Sequence, residues 1–166
     1  MSYNREGRTT GLFFPLALMS SSPLDSSAPF FYQETPSRIL LIESDVPTAD
    51  ELCGVLERAG YRVEVATSGK YALLVAGGFE ADLVLLDTEL ADMTSAEMTL
   101  VLKSTPALAK HYRHVPILFL ARPDWLINQR FRQQPETPMS DYLFKPVKTT
   151  LLLERVQRAL EASFGK

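Results

Sequence analysis

Three short, uninterrupted apolar runs decide most of what this chain can become. Ile39-Leu40-Leu41-Ile42, Leu83-Val84-Leu85-Leu86 and Ile117-Leu118-Phe119-Leu120 are each bounded by polar residues. A run that is apolar at every position, not at every second one, suits a strand covered on both faces. Tyr61 to Ala66 and Asp141 to Phe144 read as two further strands. The intervening segments have helical periodicity. Leu52, Val55, Leu56 and Ala59 mark one face of a first helix, closed by Gly60, where a left-handed cap is easy. A second helix covers Lys70 to Ala76 and stops at Gly77-Gly78. A third begins at Thr94, where Thr94-Ser95-Ala96-Glu97 has capping-box spacing and Met98, Val101 and Leu102 form the inward face. The fourth starts near Asp124 and ends before Pro135, with a polar loop from Gln133 to Ser140 behind it. The fifth runs from Thr149 to Ala162 with Leu152, Val156 and Leu160 on one side. Five strands alternating with five helices predict an α/β fold, a doubly wound parallel sheet.

This texture occupies residues 38–166 and reads as one domain. Residues 1–37 differ: Pro15, Pro23, Pro29 and Pro36, many serines and no sustained periodicity predict a flexible N-terminal tail. Leu12 to Met19, with Arg5 and Arg8 before it and Ser20 to Ser22 after it, imitates a weak secretory leader, but Pro15 breaks its centre. Met19 is an alternative start of translation, and Phe30, Phe31 and Tyr32 could dock on the domain or on a partner. No apolar stretch approaches the ~20 residues needed to cross a bilayer. With 17 Lys+Arg against 20 Asp+Glu and a net charge of −3, nothing in the charge balance supports binding to nucleic acid or to an anionic membrane. Cys53 stands alone, which excludes an internal disulfide framework and a cysteine-rich zinc site; it reads as a small core residue of a cytoplasmic protein. His111 and His114 have no carboxylate or thiol pattern beside them and read as solvated loop residues.

In an open sheet of this kind, ligands gather at the carboxyl ends of the strands. The first strand ends in Glu43-Ser44-Asp45, the third in Asp87-Thr88-Glu89, the fourth in Ala121-Arg122 and the fifth in Lys145-Pro146. Right-handed crossovers bring these ends to one edge, so Glu43, Asp87 and Lys145 can converge across more than one hundred residues of sequence. Carboxylates facing a lysine suit a hard cation and a phosphoryl group.

With these motifs, residues 38–164 resemble the receiver domain of bacterial two-component response regulators. Arg38-Ile-Leu-Leu-Ile-Glu43, Asp82-Leu-Val-Leu-Leu-Asp87 and Asp141-Tyr-Leu-Phe-Lys145-Pro146 carry the resemblance by their order and spacing together. It implies a flavodoxin-like strand order 2-1-3-4-5. It also implies that Asp87 accepts a phosphoryl group from a histidine kinase or phosphotransfer protein. Mg²⁺ would be held by Glu43, Asp87 and the backbone carbonyl of Glu89, and Lys145 would neutralise the transferred oxygens. Phosphoryl transfer needs an in-line nucleophile and fixed positive charge, which this set supplies.

The departures from the family pattern matter as much. Receivers normally carry two acidic residues at the end of the first strand, and here the positions hold Glu43 and Ser44. A unit-charge pair at 4 Å is worth up to ~4 kcal/mol at an effective dielectric of 20; with screening and a substituting water, roughly 1–3 kcal/mol of metal affinity is lost. Mg²⁺ binding is therefore expected to be weak, with Ser44 or Asp45 as the further ligand position. The switch Ser/Thr of the family matches Ala121, which removes a charge-assisted hydrogen bond of ~1.5–3 kcal/mol. Tyr142 occupies the aromatic switch position without its usual partner. Ala91 and Ser95 replace the Pro and Gly common after the acceptor, and the Glu89 carboxylate could stand near Asp87 and repel a phosphoryl donor.

Plainer roles stand beside each of these. Lys145 could form a fixed salt bridge with Asp87, Glu43 could cap the following turn, and Tyr142 could be sheet packing. Arg130 and Arg132 could mark a partner face or simply be solvated. Because only Gly165 and Lys166 follow the receiver-like residues 38–164, output is expected by contact, through the fourth helix, fifth strand and fifth helix. Two functions remain open: a phosphoacceptor regulator, and a pseudo-receiver that acts as an interaction module without phosphorylation. A flavin-type cofactor binder is disfavoured because Ser44 to Thr48 forms no phosphate cradle.

Overall fold

The computed structural model describes residues 35–124 and 141–164, all within one compact unit that spans Thr35–Lys166. Ten elements follow in order: β1 Arg38–Ile42, α1 Val46–Arg58, β2 Arg62–Ala66, α2 Gly69–Ala76, β3 Leu83–Asp87, α3 Ser95–Ser104, α4 Pro106–Tyr112, β4 Ile117–Ala121, β5 Tyr142–Phe144 and α5 Thr149–Phe164. The five strands are parallel, in the order β2-β1-β3-β4-β5. None of the helices among the described residues is long and apolar enough to cross a membrane.

The apolar runs are buried on both faces, as their composition requires. Ile39, Leu41, Leu83, Leu85, Leu118, Leu120 and Leu143 pack with Leu52, Val55 and Leu56 of α1 and Leu152, Val156 and Leu160 of α5. Leu40, Ile42, Val84, Leu86, Ile117 and Phe119 face the other way, against α2, α3 and Tyr112 of α4. Odd and even positions thus serve separate cores, the period-two rule of a strand.

Local chemistry fixes the helix ends. The Asp45 carboxylate accepts from Thr48 N at 3.0 Å and caps α1, and Gly60, at φ +93°, turns the chain out of it. Thr94 and Glu97 form the expected capping box, with Glu97 N donating to Thr94 Oγ1 at 3.1 Å and Thr94 N donating to Glu97 Oε2 at 2.8 Å.

Three differences from the sequence reading have physical causes. Helix α4 was not foreseen: Pro106 excludes helical backbone at Thr105, whose ψ is 122°, and then starts a new helix from its own first position. His111 consequently lies on α4, half-buried, with Nε2 2.6 Å from the Ala81 carbonyl, and is not a solvated loop residue. Cys53 sits at the margin of the α1/α5 core and is half-buried. The fourth helix of the sequence reading begins at Pro123-Asp124, and the rest of it lies outside the described residues, as do Arg130, Arg132, the loop Gln133 to Ser140 and the tail through residue 34.

Candidate functional site

Register brings the site together. Ile42 pairs with Leu86 and Ala121 with Phe144, so the residues just beyond β1, at the end of β3 and just beyond β5 meet at one edge. Glu43 continues the ladder by donating its N–H to Ala66 O at 3.0 Å, and Lys145 does so to Ala121 O at 2.8 Å. Glu43, Asp87 and Lys145 share the parity of Leu41, Leu85 and Leu143, which places all three on the α1/α5 face. Ala121 and Tyr142 have the opposite parity, and Tyr142 stacks on Phe119 at 5.2 Å between ring centroids.

Lys145 Nζ lies 2.6 Å from Glu43 Oε2 and 3.0 Å from Asp87 Oδ1. Glu43 is fully buried and Asp87 is 2% exposed, so these are carboxylates taken out of water. Asp87 Oδ1 also accepts from Glu89 N at 3.2 Å, and Oδ2 accepts from the Ser44 hydroxyl at 3.3 Å. Glu43 Oε1 accepts from Asp45 N at 3.0 Å, so Glu43 braces the turn as well as facing the lysine. Its Oε2 is buried and has the ionic contact with Lys145 but no well-directed hydrogen bond.

Burial raises the pKa of Glu43, and the Asp87 charge adds to this, against the lowering effect of Lys145 and Asp45 N–H. Burial alone would lower Lys145, but its close contacts with the Glu43 and Asp87 carboxylates outweigh that and hold its pKa above the usual lysine value. The ammonium is therefore charged throughout the neutral range.

Two sequence-predicted residues have other employment. Asp45 is exposed, and Thr48 takes its carboxylate through both backbone and hydroxyl, which lowers its pKa; it caps a helix and is not brought into the site. The Glu89 carboxylate does not stand unpaired beside Asp87: Arg122 holds it, with Nε 2.9 Å from Oε2 and Nη2 3.2 Å from Oε1. Arg122 was placed at the end of the fourth strand but given no role, because a lone arginine gives no local signal. The loop after Asp87 is fixed from outside: Asp92 accepts from Gly69 N and Lys70 N, both at 2.9 Å, and Met93 lies where a Cβ on Gly69 would stand.

A hard divalent cation fits this donor set. Glu43 and Asp87 supply buried carboxylate oxygens, and hard oxygens are what Mg²⁺ takes. Among the described residues no group of three or more His, Cys, Asp or Glu is placed to hold a metal ion, and the residue beside Glu43 is Ser44.

The sequence matches the family described as the response regulator receiver domain over residues 39–157. The chain belongs to that family. Receiver domains are signalling modules that interact with histidine kinases or phosphotransfer proteins and generally bind Mg²⁺ at an acidic pocket. This receiver is 36% identical over 107 residues to the "Probable cyclic di-GMP phosphodiesterase" of Vibrio cholerae, covering 64% of this chain and 23% of that protein. It is 34% identical over 129 residues to the "Uncharacterized transcriptional regulatory protein YbdJ" of Bacillus subtilis, covering 77% and 52%. The receiver thus spans about a quarter to a half of the length of these relatives. The solved structure of the chemotaxis response regulator CheY4 of Vibrio cholerae is 25% identical, with a TM-score of 0.62 over 75% of this chain and 99% of that one.

Proposed function

We propose that this receiver accepts a phosphoryl group on Asp87 in a cytoplasmic two-component phosphorelay and signals by contact with a partner protein. The observation that carries the reading is a buried Asp87 whose Oδ1 is held by Lys145 and Glu89 N while Oδ2 accepts from the Ser44 hydroxyl. An Asp87 oxygen attacks the phosphorus of a phosphohistidine. The P–N bond breaks, its electron pair stays on the imidazole nitrogen, which then takes a proton, and an acyl phosphate forms on Asp87. Lys145, fixed between Glu43 and Asp87, neutralises charge on the transferred oxygens, and the Glu89 N–H orients the carboxylate that attacks. Mg²⁺ would be held by Glu43, Asp87 and the Glu89 carbonyl, where it supplies further neutralisation of the phosphoryl oxygens. Output would run through β5, α5 and the segment that begins at Pro123.

A second reading, the phosphorylation-independent pseudo-receiver, draws on Ala121. It is fully buried without a donor, and the nearby Thr88 hydroxyl is spent on Leu120 O at 3.2 Å. Incubation with acetyl phosphate and Mg²⁺, and with kinase donors, separates the two. The first reading expects label on the wild type and none on Asp87→Asn; label retained in the mutant, or absent from both, overturns it.

A further inference from the structure

We infer that Arg122 takes hold of the phosphoryl oxygens on Asp87, in place of the hydroxyl that Ala121 lacks, and that Glu89 holds it in reserve until then. The inference rests on the proposed phosphoacceptor role of Asp87 and names the residue that senses the product.

Three observations converge on Arg122. The switch position offers nothing: Ala121 is fully buried and apolar, and the Thr88 hydroxyl donates to Leu120 O. Arg122 is the next residue along, beyond the strand end, and its guanidinium clasps Glu89 with two nitrogens at 2.9 and 3.2 Å. Glu89 in turn gives its N–H to Asp87 Oδ1 at 3.2 Å, so the guanidinium is held by the residue two positions along from the acceptor.

The clasp is easily exchanged. The side chains of Arg122 and Glu89 are 59% and 40% exposed, and such solvated pairs contribute little. A planar guanidinium donates through two parallel N–H groups, which matches two phosphoryl oxygens as well as two carboxylate oxygens. Phosphorylation turns the Asp87 monoanion into a group carrying about −1.5 to −2, raising the attraction on the nearby cation just where Lys145 is already shared with Glu43. Arg122 then leaves Glu89, which is exposed enough to rehydrate. Asp124, 3.8 Å from Arg122 Nε, is a second acidic neighbour that the move releases. Only hydrogen bonds and ion pairs change, and the covalent step is the one described above.

The test reads beryllofluoride binding by ¹⁹F NMR at saturating Mg²⁺ in wild type, Arg122→Gln and Glu89→Gln, with thermal unfolding to confirm that each variant folds. If Arg122 contacts the phosphoryl group, R122Q weakens beryllofluoride by about ten-fold, the loss of a charge-assisted pair, while E89Q, which frees the arginine, tightens it. A purely structural clasp is broken equally by either substitution, so changes of the same sign in both, or no change in R122Q, overturn the inference and leave the phosphoacceptor role standing. Absence of beryllofluoride binding in the wild type removes that role and this inference with it.

Discussion

Replacing Lys145 by Met strands two carboxylates at the sheet edge with no cation between them. Nζ stands 2.6 Å from Glu43 and 3.0 Å from Asp87, and at an effective dielectric of 20 each contact carries a gross attraction of roughly 6 kcal/mol. Desolvation of the buried ions offsets most of that. Removing one partner nevertheless leaves uncompensated charge, which costs about 3–5 kcal/mol. We expect Lys145→Met to lose that much in urea unfolding at pH 8 with EDTA present. The penalty is limited by proton uptake, because burial already raises the pKa of Glu43. A carboxyl whose folded pKa exceeds its unfolded one binds more protons in the folded state, so the cost is absent below the unfolded value, near 4.5, and grows as pH rises through the folded one. The gap between wild type and mutant should therefore be smaller at pH 5 than at pH 8, and adding Glu43→Gln should recover much of it at pH 8. An equal loss at both pH values with no recovery by Glu43→Gln would show that Lys145 acts as packing, and the charge argument would be refuted.

Ser44→Asp places a third carboxylate where the hydroxyl now stands, 3.3 Å from Asp87 Oδ2, and should tighten Mg²⁺ by about one decade while destabilising the metal-free protein. Fluorescence or calorimetric titration reads the first effect, and unchanged affinity would mean that the site already has its full ligand set. Ala121→Thr restores a donor at the switch position, worth ~1.5–3 kcal/mol to a bound phosphoryl mimic, and should enlarge the beryllofluoride-dependent amide shifts around Tyr142. Asp92→Ala should lower the melting temperature at neutral pH. Hydrogen bonds from Lys70 N and Gly69 N depress the pKa of Asp92, so its contribution is present above the unfolded value of 3.8 and disappears as pH falls through the lower folded value, closing the gap between mutant and wild type in acid.

The sheet was legible because its strands are apolar at every position, a signal that needs no partner to interpret, and Thr94-Ser95-Ala96-Glu97 announced its capping box by spacing alone. The convergence of Glu43, Asp87 and Lys145 followed from topology, since parallel strands with right-handed crossovers put their carboxyl ends at one edge. What escaped was decided by competition between neighbours. Asp45 looked available to a metal until Thr48 claimed it as a cap, and Glu89 looked repulsive until Arg122 covered it. Helix α4 was hidden because Leu108, Ala109 and Tyr112 make too short a periodic stretch, although Pro106 was a usable start signal. His111 could not be assigned a role from spacing, since its partner is a backbone carbonyl thirty residues away.

The alternation that sets Asp87 beside Glu43 and Lys145 also limits how this chain can change in length. Deleting one residue within Leu83–Leu86 would turn Asp87 through the sheet toward Phe119 and Tyr142, burying a carboxylate in the opposite core while bringing Thr88 to the place that Asp87 leaves in the acidic pocket. An insertion of one residue in Arg38–Ile42 would do the same to Glu43. Insertions in the turns at the opposite edge, such as Gly77-Gly78, leave the parity of every strand intact. Descendants of this sequence are thus free to drift in loop length at the amino edge of the sheet, whereas each strand that feeds the acidic pocket can gain or lose residues only in pairs.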